Sequence, residues 1–175
     1  ILSASLLAQL DLCEAIETEK SFDPKNSNRK VLAVDIDIRE HNKKAIEAHP
    51  MSSRIEMIQG SSIDLKVADK VKEVASQFKK VMVFLDSNHT HDHVQEELEL
   101  YADLTSIDSY CVVFDTIIED MPDDMYPDRG WGKGDNPKTA VRDFLKKNKN
   151  FVVDDLLENK LLISVAAEGY LKRIS

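Results

Sequence analysis

The sequence predicts an α/β fold: a mostly parallel sheet wound with helices and finished by a C-terminal antiparallel hairpin. Three observations predict it. Short apolar runs alternate with amphipathic stretches through most of the chain. Acids recur at the carboxyl ends of those runs, at Asp35 and Asp37, Asp86 and Asp115. The 175 residues, 42% hydrophobic and 31% charged, suffice for one ordinary domain with a real core.

Taken in order, residues 1–19 read as a helix. The opening ILSASLLAQLDL lacks a basic leader and runs into DLCEAIETEK, which fits a buried amphipathic helix better than a signal peptide. SFDPKNSNRK is a loop by composition. VLAVDID at 31–37 is a continuous apolar strand ending in acid, EHNKKAIEAH at 40–49 a helix, and RIEMIQG at 54–60 a second strand. Over 64–78, Leu65, Ala68, Val71, Val74, Ala75 and Phe78 recur at helical spacing. KVMVFLD at 80–86 is the third strand, followed by a helix from Thr90 to Leu104 and a fourth strand, YCVVFDT, at 110–116.

The stretch that follows holds three of the five prolines and three of the five glycines. A loop this long inside a compact domain is usually functional, and 117–138 is expected to be a lid. A helix at 140–148 leads to FVVDDLLE and KLLISVAAEGYLKRI, read as two strands joined by a turn at Glu158 and Asn159 and lying at the sheet edge. The domain reading is a single unit over 1–175. Because the chain begins in mid-helix at Ile1 without a methionine, it reads as the remainder of a longer protein.

Charge narrows the function. A net charge of −9 argues against nucleic-acid binding, which needs clustered Lys and Arg. No run approaches the roughly 18 apolar residues of a membrane span. Cys13 and Cys111, far apart and each in an apolar element, indicate a reducing compartment, the cytoplasm by default.

In open α/β sheets, ligands bind beyond the carboxyl ends of the strands, which is where the acids lie. An acid such as Asp35 at a strand end can accept hydrogen bonds from both hydroxyls of a ribose, or serve as a helix cap or loop acid. Its usual companion is a Gly-rich turn about 20 residues earlier, yet no glycine precedes Gly60; that turn, with the first strand, is expected upstream of Ile1. Gly60-Ser61-Ser62 permits close approach of a flat ring with hydroxyls to donate, or is a plain turn with Ser62 or Asp64 capping the next helix.

The richest segment is LDSNHTHDH, Leu85 to His93, with three of the five histidines within five positions. A dinuclear His-x-His-x-Asp-His site would need one more residue in the spacing. A mononuclear site would use Asp86 and Asp115, from adjacent strand ends, for a hard cation such as Mg²⁺. His89 then sits beside it as general base, a role to which histidine as a residue type is suited. His91 and His93, on the first helical turn, are read as structural. In Arg129-Gly130-Trp131-Gly132-Lys133-Gly134, glycines flank the single tryptophan, as in a mobile flap or a rigid Ω-loop packed by its Trp.

LDSNHTHDHVQEELELY, then YCVVFDT, WGKGDNPKTAVRDFL and LLISVAAEGYLKR together resemble the cephalosporin hydroxylase family, which groups with rhamnosyl and macrolide-sugar O-methyltransferases. The resemblance covers about 31 to 173. It implies a Rossmann-like class I methyltransferase fold and an S-adenosylmethionine- and Mg²⁺-dependent O-methyltransferase acting on a hydroxyl of a sugar, glycolipid or secondary metabolite. On this resemblance Asp35 binds the cofactor's ribose, Ser61 and Ser62 lie near its adenine, and Asp86 belongs to the cofactor site. Asp86 and Asp115 are Mg²⁺ ligands and His89 is the catalytic base. A homo-oligomer is implied as well. Several relatives carry two adjacent acids where this chain has Phe114-Asp115, so Thr116 or Glu119 is a candidate substitute ligand. Two other functions stay in view: a non-haem iron oxygenase drawing on His89, His91 and Asp92, and a methyltransferase-like binding module without catalysis.

Overall fold

The computed structural model describes Leu7, Ala8, Asp11 and residues 27–175. Of the expected helix over 1–19, Leu7, Ala8 and Asp11 are helical and the rest, Cys13 included, lies outside the described residues, as do residues 21–26 of the expected loop. The class is α/β, as expected. Two compact units make up the chain, Ile1–Ser62 and Ile63–Ser175.

In the first unit, β1 (Val31–Asp35) and β2 (Ile55–Gln59) pair in parallel, with Val31 opposite Ile55 and Asp35 opposite Gln59. Helix α1 (Glu40–Glu47) connects them, closed by a 3-10 turn at Ser52–Arg54. The same unit holds a buried ion pair. Arg54 donates from Nη1 and Nη2 to Asp11 at 2.6 and 2.8 Å and from Nε to the Arg29 carbonyl at 2.8 Å. The two side chains are 7% and 1% exposed, so the bidentate geometry is what offsets their desolvation.

In the second unit, four strands run in the order β3-β4-β6-β5. Strands β3 (Val83–Leu85) and β4 (Tyr110–Val113) are parallel, as read from their continuous apolar runs. Each is shorter than expected. Ahead of Val83 the backbone bonds Ser106 instead of a strand: Val81 N–H donates to Ser106 Oγ, and Ser106 N–H to the Val81 carbonyl. Past Val113 the left-handed backbone of Asp115 (φ 55°) turns β4 out of the sheet.

Helix α2 (Leu65–Ala75) begins where Asp64, not Ser62, accepts from the amides of Lys66 and Val67. Helix α3 (His91–Tyr101) ends in a 3-10 turn at Ala102–Leu104, so the helix expected over 90–104 is there with a tightened last turn. Helix α4 (Pro137–Lys147) starts three residues earlier than expected. Asn136 forms a capping box with Thr139, and Pro137 occupies the first turn, where its missing N–H costs nothing.

The C-terminal reading needs correction. Strand β5 (Phe151–Val153) is followed by helix α5 (Asp155–Leu161), so Glu158 and Asn159 are helical rather than a turn. Asp154 caps this helix by accepting from the Leu157 amide at 3.0 Å. Strand β6 (Tyr170–Arg173) is antiparallel to β5, as expected, but also to β4, and so lies inside the sheet while β5 forms its edge. The tight approach of β6 to β4 depends on Gly169, because a Cβ there would stand 2.2 Å from the Val113 carbonyl oxygen.

The core of this unit joins Leu85, Val113 and Leu171 from the sheet with Leu98 of α3 and Val141 and Phe144 of α4. Each such side chain contributes roughly 1.5–3 kcal/mol when fully buried. This packing fixes the carboxyl ends of β3 and β4 side by side. Among the described residues, no helix is long and apolar enough to cross a membrane.

Candidate metal and catalytic centre

Strand β3 ends at Leu85, directly opposite Val113 of β4. The two chains therefore leave the sheet together, and the acids just beyond, Asp86 and Asp115, emerge at one edge. Asp115 is one of the residue types that best tolerates left-handed backbone. Between Asp86 and α3 the chain makes a short loop in which Asn88 Oδ1 accepts from both the amide and the hydroxyl of Thr90, each at 2.9 Å. His89 sits within this loop. Its Nε2 lies 2.7 Å from Asp115 Oδ2 and 4.0 Å from Asp86 Oδ1.

Ligand atoms of Asp86, His89 and Asp115 all fall within 4.8 Å of one another. The carboxyl of Asp86 is held above its ordinary pKa, first by partial burial and then by the negative charge of Asp115, with His89 acting in the opposite direction. Two carboxylates that repel across a partly desolvated gap form a site that a cation stabilises. Their oxygens suit a hard ion such as Mg²⁺.

Neither proposed substitute for the acid replaced by Phe114 joins the cluster. Thr116 is fully buried, its hydroxyl 3.5 Å from the Val165 carbonyl. Glu119 is engaged within the segment 117–138, accepting from the Gly134 amide at 2.8 Å and Asn136 Nδ2 at 2.5 Å.

His91 and His93 have partners away from this cluster. His91 accepts or donates through Nδ1 at 2.8 Å from Thr139 Oγ1, and its amide donates to Asp135 at 2.7 Å. His93 Nε2 is 3.1 Å from Ser87 Oγ, which in turn donates to buried Glu97 at 2.7 Å. Sequence reasoning missed this Ser87–His93–Glu97 group, although His93 and Glu97 stand four apart on one helix face. The oxygenase set of His89, His91 and Asp92 is not brought together: the one cluster of three potential ligands among the described residues is Asp86, His89 and Asp115.

At the carboxyl end of the two-stranded sheet, Asp35 and the Gly60-Ser61-Ser62 turn are neighbours. The Gly60 amide donates to the Asp35 carbonyl at 2.9 Å. The Asp35 side chain accepts from the Asp37 amide at 2.9 Å, so Asp37 belongs to the turn that orients Asp35. Ser61 and Ser62 are half-buried.

The segment 117–138 opens with a 3-10 turn at Thr116–Asp120 and then runs irregularly to α4. It lines an open depression of about 540 Å³ whose walls include Tyr126, Arg129, Trp131 and Lys133. Trp131 packs edge-on against His89, with ring centroids 5.2 Å apart. That contact was not foreseen; the sequence signalled an unusual tryptophan but not its partner.

Comparison with known proteins agrees with the motifs. The family model for rhamnosyl O-methyltransferase/CmcI matches residues 1–174. Rhamnosyl O-methyltransferases of Mycobacterium bovis (strain BCG / Pasteur 1173P2) and Mycobacterium tuberculosis (strain ATCC 25618 / H37Rv) are each 30% identical over 149 residues, 82% of this chain and 56% of theirs. The chain thus spans about half the length of the curated relatives it matches. Among solved structures, the MycE methyltransferase from the mycinamycin biosynthetic pathway, in complex with Mg and SAH, has a TM-score of 0.47 at 14% identity, covering 83% of this chain and 36% of that one. The same enzyme with mycinamycin VI also bound has a TM-score of 0.44 at 18% identity, covering 67% of this chain and 28% of that one. From the motifs, the whole-length family match and the curated relatives, the chain belongs to the rhamnosyl O-methyltransferase/CmcI family.

Proposed function

We propose that this chain forms the catalytic part of an S-adenosylmethionine-dependent, Mg²⁺-assisted O-methyltransferase acting on a hydroxyl of a sugar, glycolipid or secondary metabolite. The observation that carries the proposal is the convergence of Asp86, His89 and Asp115 within 4.8 Å, in a member of this family. Asp86 and Asp115 would hold the cation, which would lower the pKa of the acceptor hydroxyl and orient it. S-adenosylmethionine would supply the methyl group, with Asp35 toward its ribose, Ser61 and Ser62 toward its adenine and Asp86 bordering its site.

His89 acts as general base. Its Nε2 lies 2.7 Å from the Asp115 carboxylate, which can only accept, so Nε2 carries the proton of that contact and Nδ1 is the nitrogen left to take the hydroxyl proton. The imidazolium that results is stabilised by Asp115, 2.7 Å away. Methyl transfer is an in-line displacement, and holding the acceptor oxygen in place supplies much of the acceleration. The segment 117–138 serves as the lid, and its open depression next to Trp131 gives the acceptor room. The buried free thiol of Cys111 is compatible with the cytoplasm as the working compartment.

Titration calorimetry tests the reading. Mg²⁺ binds the wild-type protein and loses its heat in Asp86→Asn and Asp115→Asn. S-adenosylmethionine binds the full-length protein, and His89→Ala keeps that binding while losing methyl transfer. No heat at millimolar cofactor would refute the assignment.

A further inference from the structure

We propose that Trp131 is a positioning residue for His89, and that the lid is thereby a built part of the catalytic centre; this rests on reading His89 as the base. His89 lies in a loop between β3 and α3, where neither strand nor helix pairing restrains its ring. Two contacts do so instead. Nε2 meets Asp115 at 2.7 Å, and the ring meets Trp131 at 5.2 Å between centroids with the planes 64° apart.

Trp131 is itself fixed from three sides. Tyr126 packs on it at 5.2 Å, and the Arg129 guanidinium lies 5.6 Å from its ring centroid. On its C-terminal side, Gly132 and Asp135 exchange backbone hydrogen bonds at 2.9 and 3.1 Å. Asp135 Oδ1 then accepts from the His91 amide at 2.7 Å, two residues beyond His89. The path from His89 through Trp131, Gly132, Asp135 and His91 back to His89 closes on itself. The lid therefore grips the histidine loop at its backbone and at its ring together.

A side chain that sets the direction of a base changes the rate of the chemical step, since about 1 Å of misplacement can cost on the order of 100-fold. Trp131→Ala in the full-length enzyme should lower kcat about 10- to 100-fold and leave the KM for S-adenosylmethionine unchanged, while Trp131→Phe restores most of the rate. Unaltered kcat in Trp131→Ala would overturn the proposal.

A second measurement needs no turnover. Trp131 is the only tryptophan in the chain, so the chain's tryptophan fluorescence reports on the surroundings of this one indole. An imidazole in contact with indole quenches its emission, so His89→Ala should brighten it. Asp135→Asn, which weakens the backbone grip, should shift its maximum to the red. Emission identical to wild type in both variants, with unchanged circular dichroism, would overturn the proposal even if the enzyme methylates. If the predicted emission changes are seen but no methyl transfer occurs, the contact stands and the assignment of His89 as base falls.

Discussion

Replacing Gly169 with alanine tests how the sheet positions the site. The added Cβ would meet the Val113 carbonyl oxygen at 2.2 Å, the Ala166 oxygen at 3.0 Å and the Val113 carbonyl carbon at 3.2 Å. All three are backbone atoms, which cannot swing aside as a side chain does. Ordinary contact begins near 3.4 Å, so β6 and β4 must separate by about 1 Å where Val113 N–H donates to the Gly169 carbonyl at 2.9 Å. Overpacking of this kind costs about 1–3 kcal/mol, against a gain of roughly 0.4–1 kcal/mol from a stiffer unfolded chain. A net loss of about 1–2 kcal/mol, with a urea slope of about 1–3 kcal/mol/M, moves the midpoint down by roughly 1 M. Because Val113 lies two residues before Asp115, Mg²⁺ affinity should fall as well. Equilibrium urea unfolding followed by circular dichroism measures the first effect and calorimetry the second. A midpoint equal to or above wild type would refute the argument.

Other perturbations follow from the buried groups. Arg54→Ala leaves the carboxylate of Asp11 buried without its partner and should cost about 3–5 kcal/mol in denaturant unfolding. The Arg54 hydrogen bonds hold the Asp11 carboxyl below its ordinary value of 3.8, so this pair's contribution is complete above that pH and is lost as pH falls through the folded-state value. An acid titration of stability in wild type and Arg54→Ala should therefore converge at the lowest pH. Burial pushes the Cys111 thiol up to about 12, and in a Cys13→Ser background it should resist Ellman's reagent at pH 8 until the protein is unfolded. Asn136→Ala removes the capping box of α4 and the Nδ2 bonds to Glu119 and the Gly132 carbonyl. A loss of about 1–2 kcal/mol in thermal or urea unfolding is expected for the cap alone.

Several features were legible before any coordinates because they are local. Continuous apolar runs ending in Asp35, Leu85-Asp86 and Val113-Phe114-Asp115 are what a parallel strand and its exit look like, and parallel strands exit on one side. Helical spacing in 64–78 and 91–101 was equally plain. Sequence order also separated Asp86, His89 and Asp115 from His91 and His93, because a helix start claims side chains for capping and packing. The family resemblance supplied the roles.

What one dimension does not contain is which residues distant in sequence share a neighbour. DLLENKL reads as well for a strand as for a helix; Asp154 at its start and the insertion of β6 between β4 and β5 decided for the helix. Phe114 raised the question of a substitute ligand, and packing answered it by turning Thr116 inward and tying Glu119 to Gly134 and Asn136. Trp131 was conspicuous in the sequence, yet its 42-residue separation from His89 hid their contact. The sequence by itself determined the class of fold and the residues able to do chemistry, because propensity and residue type are local properties. Tertiary structure alone decided that Asp86, His89 and Asp115 meet and that Trp131 reaches His89, because those contacts depend on where Leu85 pairs with Val113 and where Asp135 bonds the start of α3.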